Sequence, residues 1–187
     1  MLDQSLRATL LDTASRSIRH GLDHGRPLPV TPSDFPEELR SHRAAFVTLT
    51  IHAALRGCIG SLEATRPLIE DVADNAFAAA FRDPRFPPLG EEEFHQLHYH
   101  LSILDIPELM MFSSEQDLVS QLRPGTDGLI LEEAGRRSTF LPQVWETLKE
   151  PRDFLQHLKL KAGLPPDHWS DTIKLSRYTV EDFESAS

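Results

Sequence analysis

The hexapeptide LRGCIG at residues 55–60 holds the single cysteine of the chain, Cys58, with Arg56 two residues upstream and Gly57 and Gly60 on either side. A thiolate is a strong nucleophile, and a nearby cation favours that charged form. Residues i and i+2 of a strand share a face, so Arg56 can set its guanidinium beside the sulfur. Gly57 and Gly60 leave room for a ligand to approach the backbone, or for N–H groups to converge on an anion. These residue types at this spacing suit a nucleophile beside an anion pocket, with Cys58 the candidate catalytic residue and Arg56, Gly57 and Gly60 the candidate ligand-binding residues. They suit two quieter uses as well. Cysteine is among the most buried residue types and packs as a small hydrophobe, and a glycine-flanked pocket can bind a ligand without using the thiol.

Two further motifs carry polar groups at element ends. In DPRF, residues 83–86, a rigid X-Pro unit after a helix can aim Asp83 and Arg85 into a cleft. The same unit can simply stop the helix and leave a surface ion pair of little energetic weight. In STFLPQV, Gln143 follows Pro142 where a helix can start, so its amide can meet a ligand or bond the backbone. The planar donors of Arg56 and Arg85 suit carboxylate or phosphate. A cleft gathering Arg56, Gly57 and Cys58 with Asp83, Arg85 or Gln143 would therefore take a small anionic molecule.

His95, His98 and His100 raise a metal question, because two imidazoles at i, i+2 can chelate zinc or iron. The alternate residues Tyr99, Leu101 and Ile103 are the apolar set, which turns His98 and His100 toward solvent. No second pair of ligands has matching spacing, so neither a metal nor another cofactor is expected. GCIG also fits the G-x-x-G loop of KH domains, but that loop joins two helices among basic neighbours. Here it follows a strand in an acidic chain.

The elements that must position these groups read as follows. Leu6, Leu10, Ala14 and Ile18 recur at helical spacing and predict a helix over 3–20, with Gly21 as its stop. Four prolines make 25–36 an extended connector. AFVTLTI, residues 45–51, alternates as a strand does, and LRGCIGSL can pair back on it as a hairpin. Residues 67–82 predict a helix with a face of Ile69, Val72, Ala73, Ala76 and Ala80, ended by Asp83-Pro84. LHYHLSIL, residues 97–104, is a second alternating strand, and 114–122 a short helix capped by Ser114. GLILEEAGRRSTFL turns at Ala134-Gly135. Pro142 opens a helix through Val144, Trp145 and Leu148. Residues 151–162 form another, capped by Gly163, and TIKLSRYTV is one final strand. Strands separated by hairpins as often as by helices predict an α+β fold with mostly antiparallel sheets and helices packed on them.

The chain's 187 residues suit one domain, with room for a small lobe. A net charge of −10 repels phosphate backbones and anionic lipid, so neither nucleic acid nor a membrane surface is expected as a partner. One cysteine allows no intramolecular disulfide, and no signal-like or membrane-spanning apolar run is present, which together predict a cytoplasmic protein.

Taken in order, LRGCIGSLEATRPLIEDV, AAAFRDPRFPPL, GTDGLILEE, STFLPQVWE, FLQHLKLKAGL and YTVEDFE resemble the AMMECR domain family, whose bacterial members are called AmmeMemoRadiSam system protein A. The resemblance covers about residues 44–184, with the N-terminal helix packed on that domain. It implies two unequal α+β lobes around a cleft. It also implies working partners: a Memo-type protein similar to dioxygenases, and a radical SAM protein. No particular reaction comes with it, so an enzyme or enzyme subunit and a non-catalytic interaction module both stay open. The family motifs fall on residues 55–60, on Asp83, Pro84, Arg85 and Phe86, and on Leu141, Pro142, Gln143 and Val144. Family members often carry acidic residues at the positions of His98 and His100, and a Lys-Asp-Gly-like turn where this chain has His52-Ala53-Ala54.

Overall fold

The computed structural model describes residues 1–185. The chain divides into two compact units, one running from Met1 to Leu104 and resuming at Glu181, the other spanning Asp105–Val180. The first unit starts with helix α1 (Gln4–His24), which buries Leu10, Ala14 and Ile18. The Asp3 carboxylate opens it by accepting from the Leu6 N–H. The connector that follows is extended apart from a 3-10 turn at Pro32–Asp34 and the single-turn helix α2 (Glu37–Arg40). Strands β1 (Ala45–Ile51) and β2 (Ala54–Gly60) form the expected antiparallel hairpin. Helix α3 (Leu68–Phe81), short helix α4 (Glu91–Phe94) and strand β3 (His98–Leu104) come next.

Alternation explains the first core. Ala45, Val47 and Leu49 of β1 and Tyr99, Leu101 and Ile103 of β3 point to one face and pack with α1 and α3. The small side chains of Ala76, Ala79 and Ala80 let α3 lie close to the sheet, and each is buried. Gly21 does not end α1. The helix runs to His24, and Gly25, at φ 69°, closes it by donating its N–H to the Gly21 carbonyl. Gly21 answers to packing instead, because a Cβ there would lie 2.4 Å from the Phe81 ring of α3.

The second unit holds β4 (Glu108–Leu109), α5 (Glu115–Gln121), β5 (Gly128–Glu133), β6 (Arg136–Phe140), α6 (Pro151–Lys161) and β7 (Lys174–Tyr178). Its strand order is β4-β7-β5-β6, with each neighbouring pair antiparallel. Leu118, Leu129, Leu131, Phe154, Leu158 and Leu175 lie in its core. The helix expected after Pro142 is only a 3-10 turn, Pro142–Glu146. Its purpose is to turn Trp145 inward. The indole stacks 3.8 Å from the Phe154 ring and donates to the Asp127 carbonyl.

TIKLSRYTV holds β7 as expected but is not the final strand. It breaks at Thr179, whose carbonyl accepts from the Asp105 N–H. The chain then continues as β8 (Val180–Glu184) in the first unit's sheet, ordered β2-β1-β3-β8. The fold is α+β, as the sequence predicts. Among the described residues no helix is long and apolar enough to cross a membrane.

Candidate functional site

LRGCIG lies wholly on β2, an edge strand of the first sheet. Thr48 stands directly across from Cys58, on the face opposite Val47 and Leu49. Its hydroxyl donates to the sulfur, with Oγ1 3.1 Å from Sγ. The thiol is half-buried. The pairing then slips: Leu49 faces Gly57, but Thr50 faces Leu55, so Arg56 is the extra residue of a β-bulge. The bulge takes Arg56 out of the alternation that would have set it beside Cys58.

Arg56 is instead buried and bound elsewhere. Its Nε and Nη2 reach the two Glu93 carboxylate oxygens at 2.6 and 3.0 Å, and Nη2 also donates to the Pro87 carbonyl. Glu93 is the third residue of α4 and also accepts the Gly90 N–H, one half of a capping box, since glycine has no side chain to complete the other. Arg56, and then the Gly90 N–H, hold the Glu93 carboxyl below its ordinary range.

The DPRF turn meets Cys58 through both of that residue's backbone groups. Asp83 Oδ2 accepts the Cys58 N–H at 2.9 Å, and Arg85 Nη2 donates to the Cys58 carbonyl at 3.3 Å. Edge strands present unpaired N–H and C=O groups. Here an aspartate and an arginine supply what a neighbouring strand otherwise would. Asp83 is buried and also accepts from Arg85 through the backbone N–H, Nε and Nη2. Those side-chain bonds from Arg85, with the Cys58 and Arg85 N–H groups, hold its carboxyl well below the usual carboxylate range against the opposing cost of burial. The Arg85 side chain is 54% exposed, so part of it stays available to solutes while it holds the Cys58 backbone. The guanidinium on the Cys58 backbone is thus that of Arg85, not Arg56.

The glycines answer to close packing. A Cβ on Gly57 would lie 2.1 Å from the Ala79 carbonyl oxygen of α3, and one on Gly60 would meet the Phe46 ring at 2.2 Å. Gln143 belongs to the second unit, exposed within the 3-10 turn. His98 and His100 are half-buried rather than open to solvent, each against a β8 carboxylate: Glu184 at 3.3 Å and Asp182 at 3.5 Å. Among the described residues no three His, Cys, Asp or Glu side chains gather to hold a metal.

Two participants escape sequence reasoning. Thr48 shows itself only through the hairpin register. Glu93 does have a signal, the glycine followed three residues on by glutamate, but nothing local ties it to Arg56.

Residues 11–183 match the AMMECR1 family model. A protein of Methanothermobacter thermautotrophicus is 40% identical over 94% of this chain and 92% of its own length. One from Thermotoga maritima is 38% identical over 91% of this chain and 94% of its own. A crystal structure of an uncharacterized protein from Pyrococcus horikoshii superposes with a TM-score of 0.75 at 37% identity, covering 94% of this chain and 89% of that one.

Proposed function

We propose, from the premise that the chain belongs to the AMMECR1 family, that it is a small-molecule-binding protein or enzyme subunit that takes an anionic ligand beside Cys58. Its working partners are a Memo-type dioxygenase-like protein and a radical SAM protein, as the family resemblance implies, and its setting is the cytoplasm. The observation that carries the ligand class is Arg85. Its guanidinium is anchored on one edge by Asp83 and the Cys58 carbonyl, while more than half of the side chain faces outward. An anchored guanidinium loses little conformational freedom when it meets a carboxylate or phosphate. Cys58 is the group beside it able to attack a held molecule, with its sulfur oriented by Thr48. Arg56 acts from behind, tying β2 to α4 through Glu93.

Two alkylating agents of one shape test the reading. Iodoacetate carries a carboxylate and iodoacetamide does not. Cys58 should react with iodoacetate faster, relative to iodoacetamide, than a free thiol does, and Arg85→Ala should remove that preference. A ratio equal to that of free cysteine, unchanged in Arg85→Ala, defeats the proposal. Co-purification with the Memo-type and radical SAM proteins tests the partners.

A second reading, a non-catalytic interaction module, is favoured by Leu55, the first residue of the motif, and Leu62, two residues past it, which are 43% and 41% exposed. Under that reading Cys58→Ser leaves partner binding intact, while Leu55→Ser weakens it.

A further inference from the structure

The second unit contains a groove that nothing above uses. It has a volume of about 530 Å³ and lies between the start of α5, one side of α6 and the loop that precedes β7. That volume falls in the range of small-molecule sites. Its lining includes the apolar Trp169 and Val119 and the polar Glu115, Gln116, Gln156, Asp167 and Arg152.

Beneath it sits Lys159, a fully buried lysine inside FLQHLKLKAGL. Its ammonium donates to Glu115 Oε1 at 2.5 Å and to the Pro166 carbonyl at 3.4 Å, and lies 5.5 Å over the Trp169 ring. An ion buried this deeply costs several kcal/mol unless its partners are well placed. Lys159 meets that cost by fixing two elements of the groove at once, the carboxylate and the indole. Phe112, with ring centroids 5.6 Å apart, braces the indole further.

We propose that this groove binds a purine-type heteroaromatic ring as the free nucleoside. Three features point there. The indole is half-buried, immobilised from within by a cation and an aromatic ring, and lines the groove with what remains. A flat ring stacks on such a surface at small entropic cost. Glu115 has given one oxygen to Lys159, and its side chain is still 36% exposed, so Oε2 can accept from the amino group of adenine or from the N1–H and amino group of guanine. Gln116 and Gln156 offer amides, which both donate and accept, the chemistry that reads planar base edges. The charges around the groove balance: Glu115 and Asp167 against Lys159 and Arg152. A neutral ligand therefore fits better than a polyanion. The chain's net charge of −10 repels nucleic-acid polymers and is indifferent to an uncharged nucleoside.

The test uses the whole chain with guanosine, adenosine, cytidine and uridine at millimolar concentration. Saturation-transfer NMR reads contact with each ligand, and tryptophan fluorescence reads the site. Of the chain's two tryptophans, Trp145 is buried in the core, so Trp169 is the one a ligand can quench. The expected result is binding of guanosine or adenosine ahead of the pyrimidines, with quenching. Trp169→Leu should weaken that binding about tenfold through loss of the stack, and Glu115→Gln should weaken it by a similar factor. Both side chains lie at the edge of the core, so thermal melts of the variants separate lost binding from lost fold. A folded Trp169→Leu that binds as the parent does overturns the proposal. So does a flat response to all four nucleosides, or equal binding of all four.

Discussion

The two units each contain a tight antiparallel hairpin, and the two are built to different standards. The β5–β6 hairpin pairs without interruption from Leu129↔Phe140 to Glu133↔Arg136. It turns at Ala134-Gly135, with φ 48° and 77°, so a glycine takes one of the two left-handed positions that such a turn needs. The β1–β2 hairpin turns at His52-Ala53, with φ 50° and 63° and no glycine at all. It then slips register at Arg56 and caps its outer edge with Asp83 and Arg85. Strain and irregularity persist where the surroundings over-determine them. The bulge frees Arg56 for Glu93, and the side-chain cap puts a guanidinium on the backbone of the cysteine. Both hairpins carry core, but only the irregular one carries the candidate chemistry.

Glycine substitutions separate the two most widely. Gly57→Ala would drive a methyl into the Ala79 carbonyl, a backbone atom of α3 that cannot rotate away. A loss of about 3 kcal/mol or more is expected, since overpacking against backbone exceeds the common range for flexible neighbours. At Gly135 nothing lies within 4 Å of the added Cβ, so only the φ of 77° opposes alanine, at about 1–2 kcal/mol. Urea denaturation of both variants measures the difference. Gly135→Ala proving the more damaging would reverse the comparison.

Each hairpin also leans on a buried carboxylate, and these should respond differently. Asp83 serves two backbone N–H groups, which cannot turn elsewhere. Glu133 serves the hydroxyls of Ser170 and Thr172 and the ring of His168, and hydroxyls rotate to suit a new partner. Asp83→Asn should therefore cost about 1–3 kcal/mol at neutral pH, and Glu133→Gln less. The pH dependence carries the same signature. Arg85 depresses the Asp83 carboxyl in the fold, so the folded state binds its proton only at lower pH than the unfolded chain does. The stabilisation is complete above the ordinary aspartate value, about 4, and is lost as pH falls below it toward the folded value. Midpoints for Asp83→Asn should accordingly fall less steeply below about pH 4 than those of the parent. Parallel curves would mean that Asp83 is not held by Arg85 in solution.

How much of this was legible in the sequence depends on how local its cause is. Alternation in AFVTLTI and LHYHLSIL placed β1 and β3, because period-2 burial is written residue by residue. The alanine face of α3 and the Asp83-Pro84 stop were readable for the same reason. The end of α1 was not, since Gly21 is there for rings sixty residues away, and Gly25 carries the local signal one turn later. The pairing of Cys58 with the DPRF turn was expected from motif chemistry. Arg85 stays where the motif chemistry puts it, whereas Arg56 does not, because one extra residue in a strand re-aims the side chain it carries and a bulge has no fixed sequence mark. Lys159 was hidden within an apparently ordinary helix repeat, and burial of a charge shows only once its partner 44 positions earlier is in place.

The smallest effect concerns the turn itself. Ala53 sits at φ 63°, where an L-residue costs about 1–2 kcal/mol relative to its preferred regions. Glycine removes that cost but gives the unfolded chain extra freedom, worth about 0.4–1 kcal/mol. The net expectation for Ala53→Gly is a gain of about 0.5–1 kcal/mol. The matching change in the other hairpin, Ala134→Gly, should gain a similar amount, since its φ of 48° is equally left-handed. What distinguishes the hairpins is the second readout. The turn lies on the far side of the Arg56 bulge from Cys58, and the bulge is fixed by Glu93 rather than by the turn. Ala53→Gly should therefore raise the denaturation midpoint and leave the alkylation rate of Cys58 unchanged. If the rate shifts with the midpoint, the strain at His52-Ala53 is transmitted through the bulge and belongs to the site. If the midpoint falls, the left-handed turn is held by contacts that glycine loosens, and strain is the wrong account of this hairpin.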